Sequence, residues 1–91
     1  MKISKIKEEK ISEQILAFLF SNSPKPLFTS HIAIELARDE EFIKRLLLDL
    51  KNKKLVEEVT KNPKGETYVI RKRWKLSDGA YKAYKHNQNN Y

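Results

Sequence analysis

Between residues 39 and 52, Ile43, Leu46, Leu47 and Leu50 recur at three- and four-residue spacing and make one apolar helix face. Glu41, Lys44, Arg45, Leu48, Lys51 and Asn52 project from the other side. Asp39 is placed to cap this helix, and Glu40 and Glu41 sit in its first turn, where the helix dipole favours acids. After Leu55 the period changes to two. The chain turns at Asn62-Pro63-Lys64-Gly65 and returns through the segment Tyr68 to Leu76, in which Ile70, Trp74 and Leu76 alternate with Arg71, Arg73 and Lys75. One face of such a hairpin can cover a core while the other stays cationic.

Upstream, Ile11, Ile15, Leu16, Ala17, Phe18, Leu19 and Phe20 cover a wider arc than the ~100° stripe of a one-sided helix. Leu16 and Phe20 fall outside the stripe centred on Ile15 and Leu19. Two readings follow, a helix buried on two sides by its own domain or a homodimer interface. Asn22-Ser23-Pro24-Lys25-Pro26 breaks the helix, because proline removes donors and pushes its predecessor to extended backbone. Leu27-Phe28 then reads as a very short strand, and Thr29 as the N-cap of a helix over 30–37 with Ile32, Ala33 and Leu36 inward. Ser77 caps a last helix through Tyr81 and Tyr84. The polar residues 86–91 read as a disordered tail. The pattern thus divides the chain into a basic arm or helix extension over 1–10, one domain over 11–85, and the tail.

Charge changes the picture from fold to partner. Nineteen Lys and Arg against twelve Asp and Glu leave +7 on 91 residues, which points to a polyanion. Six of the basic residues (Lys61, Lys64, Arg71, Lys72, Arg73, Lys75) and one acid, Glu66, lie in 61–75, so that stretch carries five of the seven net charges. There is no cysteine, hence no disulfide framework or thiolate metal site. The lysine-rich N-terminus lacks the apolar run of a signal peptide or membrane span, which predicts a cytoplasmic protein. Enzyme chemistry finds little support: His31 and His86 are far apart, and Gly65 and Gly79 form no phosphate loop. No cofactor is expected.

Two segments resemble the winged helix-turn-helix family of transcription regulators. The run Ile32 to Val56 resembles that family's helix pair and first wing strand. Trp74-Lys75-Leu76-Ser77-Asp78-Gly79 resembles the handover from the wing to the closing helix. In size and lysine content the chain is similar to small winged-helix proteins of archaea and their viruses, which would put a viral member in the host cytoplasm. The resemblance implies an α+β fold in the order α1-β1-α2-α3-β2-wing-β3-α4, with base-reading positions at Glu41, Lys44, Arg45 and Leu48 and wing contacts at Lys61, Lys64, Arg71 and Arg73. The family often carries Gly where this chain has Lys54. The expected function is sequence-specific binding of double-stranded DNA, with helix 39–52 in the major groove, Lys51 beside it, and hairpin 55–76 on the backbone or minor groove. A homodimer through Leu16 and Phe20 would suit a two-fold-related site. The alternatives are a protein-protein interaction module, which exposed Leu48 and Ile34 would suit, and a nonspecific nucleic-acid binder.

Overall fold

The computed structural model describes residues 4–59 and 72–88. Its elements are α1 (Lys5–Ser21), β1 (Leu27–Phe28), α2 (Thr29–Glu35), α3 (Glu40–Asn52), β2 (Val56–Val59), β3 (Arg73–Leu76) and α4 (Asp78–Gln88), in the expected order. The strands form an antiparallel sheet in the order β1-β3-β2, with Leu27 opposite Trp74 on one side of β3 and Val56 opposite Leu76 on the other. The turn expected at 62–65 lies outside the described residues.

The core gathers the apolar stripes that the spacing picked out: Ile11, Ile15 and Leu19 of α1, Ile32 and Ala33 of α2, and Ile43, Leu46, Leu47 and Leu50 of α3 close over Val56, Trp74 and Leu76. Each buried Ile, Leu or Val side chain among them contributes about 1.5–3 kcal/mol by leaving water. Trp74 is fully buried in the central strand, and its indole Nε1–H donates to Thr29 Oγ1 at 2.8 Å. That bond corrects the expected cap of α2. The Thr29 hydroxyl serves a buried indole, so the helix starts one residue early, with Phe28 as N-cap and no side-chain cap bond. α2 also ends sooner than expected, at Glu35 rather than residue 37.

The other caps follow the sequence. Asp39 Oδ2 accepts from the Phe42 N–H at 3.1 Å, and Ser77 Oγ accepts from the Ala80 N–H at 3.1 Å. α1 begins at Lys5 with Ser4 as its cap, so from Lys5 onward the segment left open as arm or helix extension is helix. α4 continues to Gln88, which makes 86–88 helical where a disordered tail was expected.

Leu16 is buried in the core, and Phe20 is half-buried with its ring 5.4 Å from both Tyr81 and Tyr84. Of the two readings of this helix, burial on two sides within its own domain accounts for Leu16 and for part of Phe20. Burial raises the Tyr84 hydroxyl above the usual tyrosine range, and the Glu13 carboxylate adds to the shift. The folded state thus favours the neutral phenol, a contribution present below about pH 10 and lost as pH rises past it.

α2 and α3 end the same way. Arg38 and Ala37 donate to Ala33 and Ile34, Leu55 and Lys54 donate to Leu50 and Lys51, and the turning residues Ala37 (φ 53°) and Lys54 (φ 63°) are left-handed. These are Schellman caps, in which glycine is the usual occupant. A non-glycine residue there costs about 1–2 kcal/mol, and glycine's extra freedom in the unfolded chain returns roughly half of that. Ala37→Gly and Lys54→Gly are each expected to stabilise the domain by about 0.5–1 kcal/mol, read as a higher urea midpoint at constant slope. A lower midpoint in both would mean that neither turn is strained.

Candidate nucleic-acid interface

The side of α3 opposite Ile43, Leu47 and Leu50 carries Glu41, Arg45, Leu48 and Asn52 at spacings of four, three and four, all exposed. Leu48 is 37% exposed, an unusual place for a leucine, and Ile34 of α2 is exposed at 78%. Lys44, half-buried, and Lys51, exposed, lie on one flank of this row, and Lys51 reaches Glu58 of β2. The structure thus brings Glu41, Lys44, Arg45, Leu48 and Lys51 onto one continuous helix surface, because the opposite stripe is consumed by the core.

Arg45 is held from two directions. Its Nη2 donates to Glu8 Oε1 of α1 at 2.7 Å, and its Cζ lies 5.2 Å from the centroid of the Phe42 ring, within cation–π range. The groove in which this pair lies, about 650 Å³ between α1 and α3, is also lined by Lys5, Glu9, Ser12 and Asp49.

The base of the hairpin carries more compensation than the count over 61–75 implies. Glu58, its side chain only 12% exposed, accepts from Lys51 Nζ at 3.0 Å, and its second oxygen lies 3.7 Å from Lys72 Nζ. Glu57 lies 3.7 Å from Lys75 Nζ, its cross-strand partner in the sheet register. Counted over 56–75, the net charge of the hairpin falls from five to three. Glu58 also ties α3 to the wing strands. Such pairs contribute about 0.2–1 kcal/mol each when exposed, so they guide geometry more than they stabilise.

On β3, Arg73 and Lys75 alternate with buried Trp74 and Leu76, as expected. Arg73 is half-buried and its guanidinium carbon lies 6.0 Å from the Phe28 ring centroid, so it packs along the sheet rather than projecting freely. Lys61, Lys64 and Arg71 lie outside the described residues. Among the described residues no cluster of three or more His, Cys, Asp or Glu could hold a metal ion, and no helix is long and apolar enough to cross a membrane.

Sequence reasoning missed Glu8, Glu57 and Glu58. The Glu57–Lys75 pair was accessible once Val56 is set opposite Leu76, since antiparallel register then aligns them. Glu8 sits 37 positions from Arg45, and no local pattern joins them.

The fold recurs in known proteins. S. aureus MepR in complex with DNA superposes with a TM-score of 0.72 at 23% identity, covering 87% of this chain and 60% of that one. The fold is a winged helix-turn-helix. S. aureus MepR in its DNA-binding conformation matches with a TM-score of 0.69 and 23% identity over 87% of this chain and 55% of that one. A mutant of Lactococcus lactis ZitR matches with a TM-score of 0.68 and 18% identity over 98% of this chain and 56% of that one. This winged helix therefore spans little more than half the length of these bacterial structures. No family model matches the chain, and no curated protein sequence does. The expected likeness to archaeal and viral proteins finds no counterpart in these structures.

Proposed function

We propose that the protein is a double-stranded DNA-binding transcription regulator that lays α3 in the major groove and sets the β2–β3 hairpin on the phosphate backbone or in the adjacent minor groove. The observation that carries this reading is the exposed α3 row centred on Arg45, flanked by a cationic hairpin, in the fold that MepR presents to DNA. An α-helix fits the major groove, and a planar arginine fork reads guanine there through two parallel hydrogen bonds. The wing lysines and arginines supply sequence-independent attraction.

The direct test is titration of mixed-sequence duplex DNA at about 50–100 mM salt, the range in which phosphate contacts of this kind survive. Absence of binding there overturns the reading. A mass measurement in parallel counts the chains per complex; for a pair of chains on a two-fold-related site, Leu16 is already buried in the domain, while Phe20 keeps part of its ring exposed. Exposed Ile34 and Leu48 favour a second reading, a protein-binding module, which is the one left standing if no duplex binds.

The helix and the hairpin divide the work in this reading. Arg45→Ala is expected to lose about 1–3 kcal/mol on the preferred site and little on other sequences. Arg71→Ala is expected to weaken all sequences alike and to flatten the salt dependence by about one unit. Identical behaviour of the Arg45 and Arg71 variants on every sequence would show that no such division exists.

A further inference from the structure

We infer that Glu8, on a different helix from the DNA-reading surface, is a specificity-determining residue: it sets the direction and readiness of the Arg45 side chain. This rests on the DNA-binding reading above. Three acids line the groove beside Arg45, namely Glu8, Glu9 and Asp49, and among the described residues they are not equivalent. Asp49 is paired with Lys53 at 3.4 Å, one turn along its own helix. Glu8 alone reaches the guanidinium, at 2.7 Å, a charge-assisted distance. The Glu8 side chain is 25% exposed and that of Arg45 is 62% exposed, so a partly shielded carboxylate holds a cation that still faces solvent.

An unrestrained arginine samples many rotamers, and immobilising it on a base costs free energy at the moment of binding. Here part of that ordering is done beforehand. The guanidinium lies over the Phe42 ring and Glu8 takes its Nη2 end, so the group is held at two points while Nη1 has no partner among the described residues. The carboxylate also acts against indiscriminate binding. It offsets the charge of Arg45 and opposes phosphates that approach without the compensating contact to a base, which is how a repulsive element sharpens a difference in affinity.

Glu8→Gln removes the charge and keeps the shape. Relative to wild type it is expected to bind mixed-sequence duplex several-fold more tightly, and to lose about two- to ten-fold in discrimination at the base pairs that Arg45→Ala also relaxes. Discrimination elsewhere in the site should stay as it is. The measurement is the affinity of wild type, Glu8→Gln, Arg45→Ala and the double variant for a duplex selected from a random pool and for each of its single-base changes. If Glu8 acts through Arg45, adding Glu8→Gln to Arg45→Ala leaves the base profile of Arg45→Ala unchanged. A Glu8→Gln profile identical to wild type, or shifted equally at every position, overturns the inference while the DNA-binding reading stands. Failure of the wild-type chain to bind any duplex removes both. Thermal melts of the four proteins accompany the titrations; because Glu8 lies near the exposed start of α1, a melt unchanged in Glu8→Gln is expected, and a profile change confined to a destabilised variant counts against a positioning role.

Discussion

Trp74→Ala is expected to lose about 3–5 kcal/mol of stability, the range for emptying a fully buried aromatic site. A domain of this size holds only about 5–14 kcal/mol in all, so the variant should melt roughly 15–30 °C lower or be partly unfolded at room temperature. Two effects combine at this position. The indole fills the space between α1, α2 and the sheet at 0% exposure, and its N–H satisfies Thr29, itself buried at 9%. Trp74→Phe separates them, since it keeps most of the ring and removes the donor. It should lose less than Trp74→Ala, with about 1–3 kcal/mol of the loss coming from the stranded hydroxyl. Thr29→Val should lose a comparable amount by leaving the indole N–H without its acceptor. The pair of changes together should then cost less than their sum, because no polar group is left alone. Urea unfolding of the four chains gives the comparison. Additive losses would mean that the 2.8 Å bond contributes nothing specific.

The second large effect is ionic. If the cationic hairpin tracks phosphates, log K should fall against log salt with a slope of about −3 to −5 per chain, which is a loss of roughly 60- to 1,000-fold between 50 and 200 mM. The lower end corresponds to the three net charges over 56–75 and the upper end to the five over 61–75. Which applies depends on whether Glu57 and Glu58 keep hold of Lys51, Lys72 and Lys75 when DNA is present. Replacing both glutamates with glutamine removes the competition. The double variant is expected to bind about ten-fold or more tightly at low salt, with a slope steeper by about one to two units. If affinity and slope both stay at wild-type values, the three lysines take no part in the complex and the hairpin must meet DNA through its outer residues alone.

Several pieces of this architecture were readable from local pattern. The spacing of Ile43, Leu46, Leu47 and Leu50 implied which side of α3 would be buried, and the cap at Asp39 and the Ser77 turn appear where their side chains call for them. The cationic parity of Arg73 and Lys75 likewise follows from alternation about Trp74. What local pattern left wrong or open shares one cause. Thr29 was read as a cap because its type and place suit one, yet a tryptophan 45 positions away claims its oxygen. For Leu16 and Phe20 the spacing leaves two-sided burial and a dimer interface open, and what a one-helix projection does not contain is the neighbours: Leu16 is buried beside α3, and Phe20 packs on Tyr81 and Tyr84 of α4.

By itself, then, the sequence determined the elements, their order and the polarity of each surface, since these depend on dihedral preference, capping and periodicity within a few residues of each position. Only the tertiary structure decided which charges are free to act. Glu8 against Arg45, and Glu58 between Lys51 and Lys72, are pairings between elements, set by how α1, α3 and the sheet pack about a common core. Coulomb interaction depends on distance in space and is indifferent to distance along the chain. A count of charges therefore showed that the molecule is cationic, and the packing decided which of those cations already have a partner.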